Sequence, residues 1–105
     1  MLKTLCDTIY SIEQIKEKAI PLLKKFGIRK AGIFGSYARL QANGNSDIDF
    51  ILDIPNDLDF AEVVGIQELL KQIFSKEVDI VESDVLKGSI KESINNEVIY
   101  FYEER

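Results

Sequence analysis

Residues 35–49 read GSYARLQANGNSDID and are the most informative stretch of the sequence, because they combine a tight turn, a spacer and a pair of aspartates. Gly35 follows the predicted short strand of residues 29–34, and a glycine at the end of a strand lets the backbone approach a phosphate group. Ser36 adds a hydroxyl at the point where the unpaired N–H groups of a following helix would attract an anion. The beginning of this stretch therefore predicts a phosphate-binding turn.

The end of the same stretch predicts two carboxylates on one side of a strand. Asp47 and Asp49 are two residues apart, and alternate residues of a strand face the same way. Adjacent carboxylates repel unless a cation lies between them, and Mg²⁺ commonly takes one or two carboxylates together with phosphate oxygens and water. Asp79 lies in the next predicted strand, where it can join the pair and accept the proton of an attacking hydroxyl if the two strands are neighbours.

Helices alternate with strands in the rest of the sequence. The spacing of apolar residues predicts a helix over residues 11–26, kinked or broken at Pro21, and a broad apolar helix that begins at Asp59 and extends to Phe74. Strands are expected over residues 29–34, 47–53 and 77–81, a terminal strand or an extended tail over residues 98–102, and short helices over residues 36–41 and 86–95. This order predicts an α/β or α+β fold in which one small mixed sheet is flanked by helices, within a single domain of residues 1–105.

The composition excludes several classes of chemistry. Histidine is absent from the sequence, so no histidine can act as a general base or a zinc ligand. A net charge of −5, from 18 acidic and 13 basic residues, argues against direct binding to DNA or RNA. Cys6 is the single cysteine and cannot form an internal disulfide, and no apolar run approaches the roughly 18 residues of a membrane span. We therefore expect a cytoplasmic protein.

Taken together, the motif resembles the nucleotidyltransferase superfamily related to DNA polymerase β, in which a Gly-Ser turn and a spacer precede Asp-x-Asp. It is most similar to the short prokaryotic minimal nucleotidyltransferases, whose signature is Gly-Ser-x-Ala-Arg-Gly followed by Ser-Asp-Ile-Asp. Ala38, Arg39 and Ser46 match this signature, whereas Leu40 stands where the family commonly has glycine. Arg39 would place the phosphates or anchor the short helix, and Tyr37 would either pack over the loop or touch the nucleotide. The likeness extends over nearly the whole chain and implies a polymerase β-like fold.

The resemblance also implies a role for each remaining motif residue. Gly35 and Ser36 would hold the β- and γ-phosphates of ATP. Asp47 and Asp49 would bind two Mg²⁺ ions, and Asp79 would be the third carboxylate of the catalytic triad. The implied reaction is the transfer of AMP from ATP to a hydroxyl group, with pyrophosphate as the leaving group.

The family implies a partner and an acceptor as well. Minimal nucleotidyltransferases are commonly paired with a helical HEPN-domain ribonuclease toxin, which they silence as antitoxins, in known cases by adenylylating a tyrosine. Two alternatives stay open: a non-catalytic antitoxin that neutralises its partner by occlusion, and nucleotidyl transfer to a small molecule. Antibiotic nucleotidyltransferases, which act on small molecules, carry an extra helical domain that forms the acceptor pocket, and we expect no residues of this sequence to form such a domain. The apolar run of residues 98–102 either completes the core or contacts another chain, so a homo-oligomer or hetero-oligomer is also open.

Overall fold

A computed structural model describes residues 8–83 and 98–103, and within them two helices and four strands form the fold. The elements in chain order are α1 (Ile12–Lys25), β1 (Lys30–Phe34), β2 (Ile48–Asp53), α2 (Phe60–Phe74), β3 (Val78–Glu82) and β4 (Ile99–Glu103). A mixed sheet flanked by helices was the predicted class, and it is confirmed. The predicted helix over residues 86–95 and the single Cys6 lie outside the described residues.

Helix α1 begins with the capping box that its sequence indicates. The Ser11 hydroxyl accepts a hydrogen bond from the Gln14 N–H at 3.1 Å, and the Gln14 side chain accepts one from the Ser11 N–H at 2.8 Å. The sequence predicted a kink or a break at Pro21, and the prediction of a break is wrong, because α1 continues through Pro21 to Lys25. One face of the helix is anchored in the core on both sides of the proline, by Ile15, Ala19 and Leu23. This packing outweighs the single backbone hydrogen bond that the proline removes.

The predicted short helix over residues 36–41 is a series of turns instead. The N–H groups of Arg39, Leu40 and Gln41 donate to the carbonyls of residues four, three and five positions earlier, so no regular helical ladder forms. Leu40 has a φ of 58°, in the left-handed region that ends a right-handed helix. The segment therefore crosses from β1 to the following loop as a compact bend.

Leu40 is also the basis of a stability prediction. Its side chain is 80% exposed, so it contributes little burial, and a left-handed leucine costs about 1 kcal/mol. We expect Leu40→Gly to leave the free energy of unfolding unchanged or to raise it by up to about 1 kcal/mol. Leu69→Gly, at a partly exposed position inside α2, should instead lower it by about 1 kcal/mol or more. Chemical denaturation of both variants measures the difference, and equal losses would contradict the role of the left-handed conformation.

The sheet has the strand order β3-β2-β1-β4. Strand β1 is antiparallel to both β2 and β4, whereas β2 and β3 are parallel. In the parallel pair the register partners include Asp49 and Asp79. Residues of α1, α2 and the sheet form one core that includes Leu23, Phe50 and Phe74. Neither of the two helices described is both long and apolar enough to cross a membrane.

Candidate functional site

Gly35 directly follows β1 and lies against the side chain of Asp49. Its φ is +74°, and a Cβ placed on it would lie 2.5 Å from the Oδ2 atom of Asp49. A side chain at this position would therefore meet both backbone strain and a carboxylate oxygen. The sequence suggested that this glycine lets a phosphate approach. The structure adds that it lets the Asp49 carboxylate lie against the turn.

Asp49 and Asp79 form the centre of the site. They are register partners on the parallel strands β2 and β3, and their carboxyl groups are close enough to share a hydrogen bond. The pKa of Asp49 is raised from 3.8 to about 6, first by burial of the carboxyl group and then by the neighbouring charges of Asp79 and Asp47. The strands of Asp49 and Asp79 are therefore neighbours, which is the condition for Asp79 to join the site.

Asp47 lies one residue before β2, not within it, and its side chain is exposed. It is within electrostatic range of Asp49, whose pKa it raises. The loop before it is held by its own side chains: the Ser46 hydroxyl accepts from the Asn43 N–H at 2.9 Å, and the Asn43 side chain accepts from the Asn45 N–H at 2.8 Å. Ser46 thus stabilises the turn that precedes Asp47.

The chemistry of these side chains suits a hard divalent cation. Carboxylate oxygens are the ligands that Mg²⁺ prefers, and the pKa of Asp49 is raised by burial first and then by the negative charges of Asp79 and Asp47. Among residues 8–83 and 98–103, no three acidic side chains are grouped closely enough to form a ready-made metal cluster. Asp49 and Asp79 are the adjacent pair, and the exposed Asp47 would have to turn towards them.

Arg39 and Tyr37 occupy different surroundings in the turn. The Arg39 guanidinium is exposed and close enough to lower the pKa of Asp49, so its charge acts on the acidic site. Tyr37 is only 3% exposed and packs in the core, where it also lines a cavity of about 240 Å³ with Tyr10 and Leu40. Burial favours the packing alternative for Tyr37 over contact with a nucleotide.

Lys76 is a residue near the site that sequence reasoning missed. It is almost fully buried, and its ammonium group donates to the carbonyl oxygen of Gly44 at 2.8 Å. Lysine between a helix and a strand is usually exposed, so its type and position carried no signal. Its position before Val78 and Asp79 was the only hint, and it does not distinguish a buried lysine from a solvated one.

Comparison with known proteins agrees with this geometry. The family model described as polymerase beta, nucleotidyltransferase matches residues 17–105. The protein adenylyltransferase MntA of Thermococcus cleftensis is 38% identical over 79 residues, which cover 75% of this chain and 80% of that protein. A candidate protein adenylyltransferase of Methanocaldococcus jannaschii is 35% identical over 89 residues, which cover 85% of this chain and 96% of the relative.

Solved structures share the fold at lower sequence identity. A chain from the crystal structure of a toxin–antitoxin with AMP-PNP aligns with a TM-score of 0.74 and 21% identity, covering 86% of this chain and 74% of the other. A chain from the complex of a tri-AMPylated Shewanella oneidensis HEPN toxin with an MNT antitoxin aligns with a TM-score of 0.68 and 18% identity, covering 87% and 71%. At this identity the likeness concerns the fold alone.

Proposed function

The chain belongs to the polymerase beta nucleotidyltransferase family, and from this we propose that it is a protein adenylyltransferase, transferring AMP from ATP to a hydroxyl group of a partner protein. The adenylyltransferase relative that is 38% identical supports a protein acceptor. The observation that carries the proposal is the register pairing of Asp49 with Asp79 beside Gly35. We propose further that residues 1–105 act as one domain with this single active site.

The partner in this proposal is a HEPN-domain ribonuclease toxin, and the acceptor is one of its tyrosines. A solved relative of the same fold is an MNT antitoxin in complex with an AMPylated HEPN toxin, which supports this choice. The net charge of −5 disfavours direct binding to nucleic acid and leaves a protein as the macromolecular substrate. In this role the chain is an antitoxin.

The reaction assigns a task to each residue of the turn and the strands. The acceptor oxygen attacks the α-phosphorus of ATP and forms a new O–P bond, while the bond to the bridging oxygen breaks and pyrophosphate leaves. Asp79 accepts the proton of the acceptor hydroxyl. Gly35 and Ser36 hold the β- and γ-phosphates through backbone and hydroxyl donors, and the charge of Arg39 orients them.

Asp47, Asp49 and Asp79 are the residues that would hold Mg²⁺, with two ions expected. Bound Mg²⁺ supplies positive charge that neutralises the phosphate oxygens and the leaving group. The raised pKa of Asp49 supports this assignment, because a cation at the pair would remove the repulsion that causes part of the shift. Asp49 and Asp79 keep their carboxylates at one end of adjacent strands, where both can face the same ligand.

Transfer of label tests the proposal directly. The full chain is incubated with α-labelled ATP, Mg²⁺ and the purified product of the neighbouring gene, which the proposal expects to be a HEPN-domain protein, and the labelled residue is identified by mass spectrometry. We expect AMP on a tyrosine of the partner, and we expect Asp79→Asn to remove it. Asp53→Asn is the matched control, since Asp53 is on β2 but pairs with Arg29 at 2.9 Å, and it should retain transfer.

Two other outcomes would replace the proposal. Neutralisation of the toxin without any label on it would show that the chain acts by occlusion. Label on a small molecule, with none on the partner, would show that the acceptor is not a protein.

A further inference from the structure

Lys76 joins two parts of the chain that each carry an aspartate of the site. It follows Ser75, whose left-handed conformation (φ 53°, ψ 41°) ends α2, and it precedes β3. Its Nζ atom donates to the carbonyl oxygen of Gly44, which is 32 residues earlier in the chain. Gly44 is three residues before Asp47, and Lys76 is three residues before Asp79. This hydrogen bond therefore connects the Asp47 loop to the strand of Asp79.

The burial of Lys76 determines how it can act. The residue is 3% exposed, so its ammonium group lies inside the protein and a main-chain carbonyl is one of its partners. Burying a charged group costs free energy unless it is paired or hydrogen-bonded. A buried ammonium group that holds a loop carbonyl acts through the position of that loop and not by contact with a solvent-borne substrate.

The loop itself needs such an external contact. The hydrogen bonds of Asn43, Asn45 and Ser46 are made within residues 43–46 and give the loop its shape. They do not orient it relative to the sheet. The Lys76 bond does so, together with the hydrogen bond of 3.1 Å from the Ile48 N–H to the Glu77 carbonyl.

We propose that Lys76 is a positioning residue that holds the loop of Asp47 beside the Asp49–Asp79 pair, from where Asp47 can turn to the metal, and that it thereby sets the affinity of the site for divalent metal. The inference rests on the proposed function, since it assumes that these aspartates are the metal ligands. Residues that orient metal ligands commonly contribute 10-fold to 100-fold to affinity. Lys76 is such a residue, although it touches neither the metal nor the nucleotide.

The test measures Mn²⁺ binding to the full chain by electron paramagnetic resonance, without nucleotide or partner. Lys76→Met keeps most of the aliphatic length and removes the donor, so the dissociation constant for Mn²⁺ should rise about 10-fold. Lys76→Arg keeps a charged donor and should stay within about 3-fold of the wild type. Lys71→Met is the control, because Lys71 pairs with Glu68 and Glu77 outside the site and its loss should not change Mn²⁺ binding.

Hydrogen exchange separates positioning from a general loss of stability. In metal-free Lys76→Met, the amides of residues 44–48 should exchange faster while those of α1 and β1 stay protected. If Lys76→Met fails to fold, Lys76→Leu, which also lacks a donor, replaces it in both measurements. Mn²⁺ binding at wild-type affinity in a folded Met or Leu variant would overturn the inference, and so would an Arg variant as weak as Met.

The design also separates this inference from the proposed function. A wild-type chain that binds Mn²⁺ and transfers no AMP would refute the proposed function. The inference about Lys76 would then still be tested by the Mn²⁺ affinity of its variants. Mn²⁺ binding that survives Asp49→Asn would instead show that the ligands lie elsewhere, and it would overturn the role of Lys76 as well.

Discussion

Gly35→Ala is expected to reduce AMP transfer by roughly a thousandfold and to lower the free energy of unfolding by about 2 kcal/mol. The new Cβ would lie 2.5 Å from the Asp49 Oδ2 atom, so the carboxylate must move away from the turn. The backbone φ of +74° adds the strain of a left-handed alanine. Displacement of Asp49 moves a proposed metal ligand, and for that reason the loss of activity should exceed the loss of stability. Labelled transfer and chemical denaturation measure the two effects.

Gly27→Ala is the matched control for this prediction. Gly27 has a φ of +73°, almost the same as Gly35, yet no heavy atom lies within 4 Å of a Cβ placed on it. Its substitution should cost about 1 kcal/mol of stability and leave transfer intact. Equal losses of AMP transfer in the two variants, or full transfer by Gly35→Ala, would show that the contact of Gly35 with Asp49 does not matter for activity.

The sequence predicted the regular elements of the described fold closely, because their signals are local. The strand that contains Asp49 begins at Ile48 instead of Asp47, and the strand that contains Asp79 ends one residue later than expected. Apolar periodicity and capping residues report directly on these elements. The short helix after Gly35 was predicted wrongly, since nothing in the residue type of Leu40 indicates its positive φ.

The site was predictable where the motif spacing implies geometry. The sequence placed Asp49 and Asp79 on successive strands, and the parallel pairing of β2 with β3 meets the condition that these strands are neighbours. The period of two placed Asp47 on the same strand as Asp49, but β2 begins one residue after Asp47. The close approach of Gly35 to Asp49 was not predictable, because it depends on how the turn after β1 meets the next strand. The burial of Lys76 was not predictable either, because it depends on a contact with Gly44 across 32 residues.

Asp49→Asn is expected to reduce activity strongly and to stabilise the metal-free protein, because both effects follow from removal of the Asp49 charge. The carboxylate is a metal ligand in the proposed reaction, and its loss should reduce transfer by roughly a thousandfold. Its raised pKa means that the folded protein disfavours the charged form, through burial first and then through Asp79 and Asp47. A neutral amide of the same shape removes this penalty. At pH 7 the free energy of unfolding should rise by about 1 kcal/mol, which is less than the full shift because the carboxylate is partly exposed.

The pH dependence of this gain follows from the direction of the shift. Between about pH 4 and pH 6 the unfolded chain has lost the Asp49 proton while the folded chain still holds it, so the stability of the wild type falls as the pH rises. The gain of Asp49→Asn should therefore be absent below about pH 4, grow up to about pH 6 and then stay constant. Urea denaturation of metal-free protein across this range measures the gain, with Asp57→Asn as a control at an exposed loop position.

Added Mg²⁺ should stabilise the wild type and not the variant, because a ligand stabilises only the folded state that binds it. The wild type should then be the more stable of the two proteins. An Asp49→Asn protein that is less stable than the wild type at pH 7 without metal would contradict this prediction. It would show that contacts within the protein stabilise the charged carboxylate without a cation.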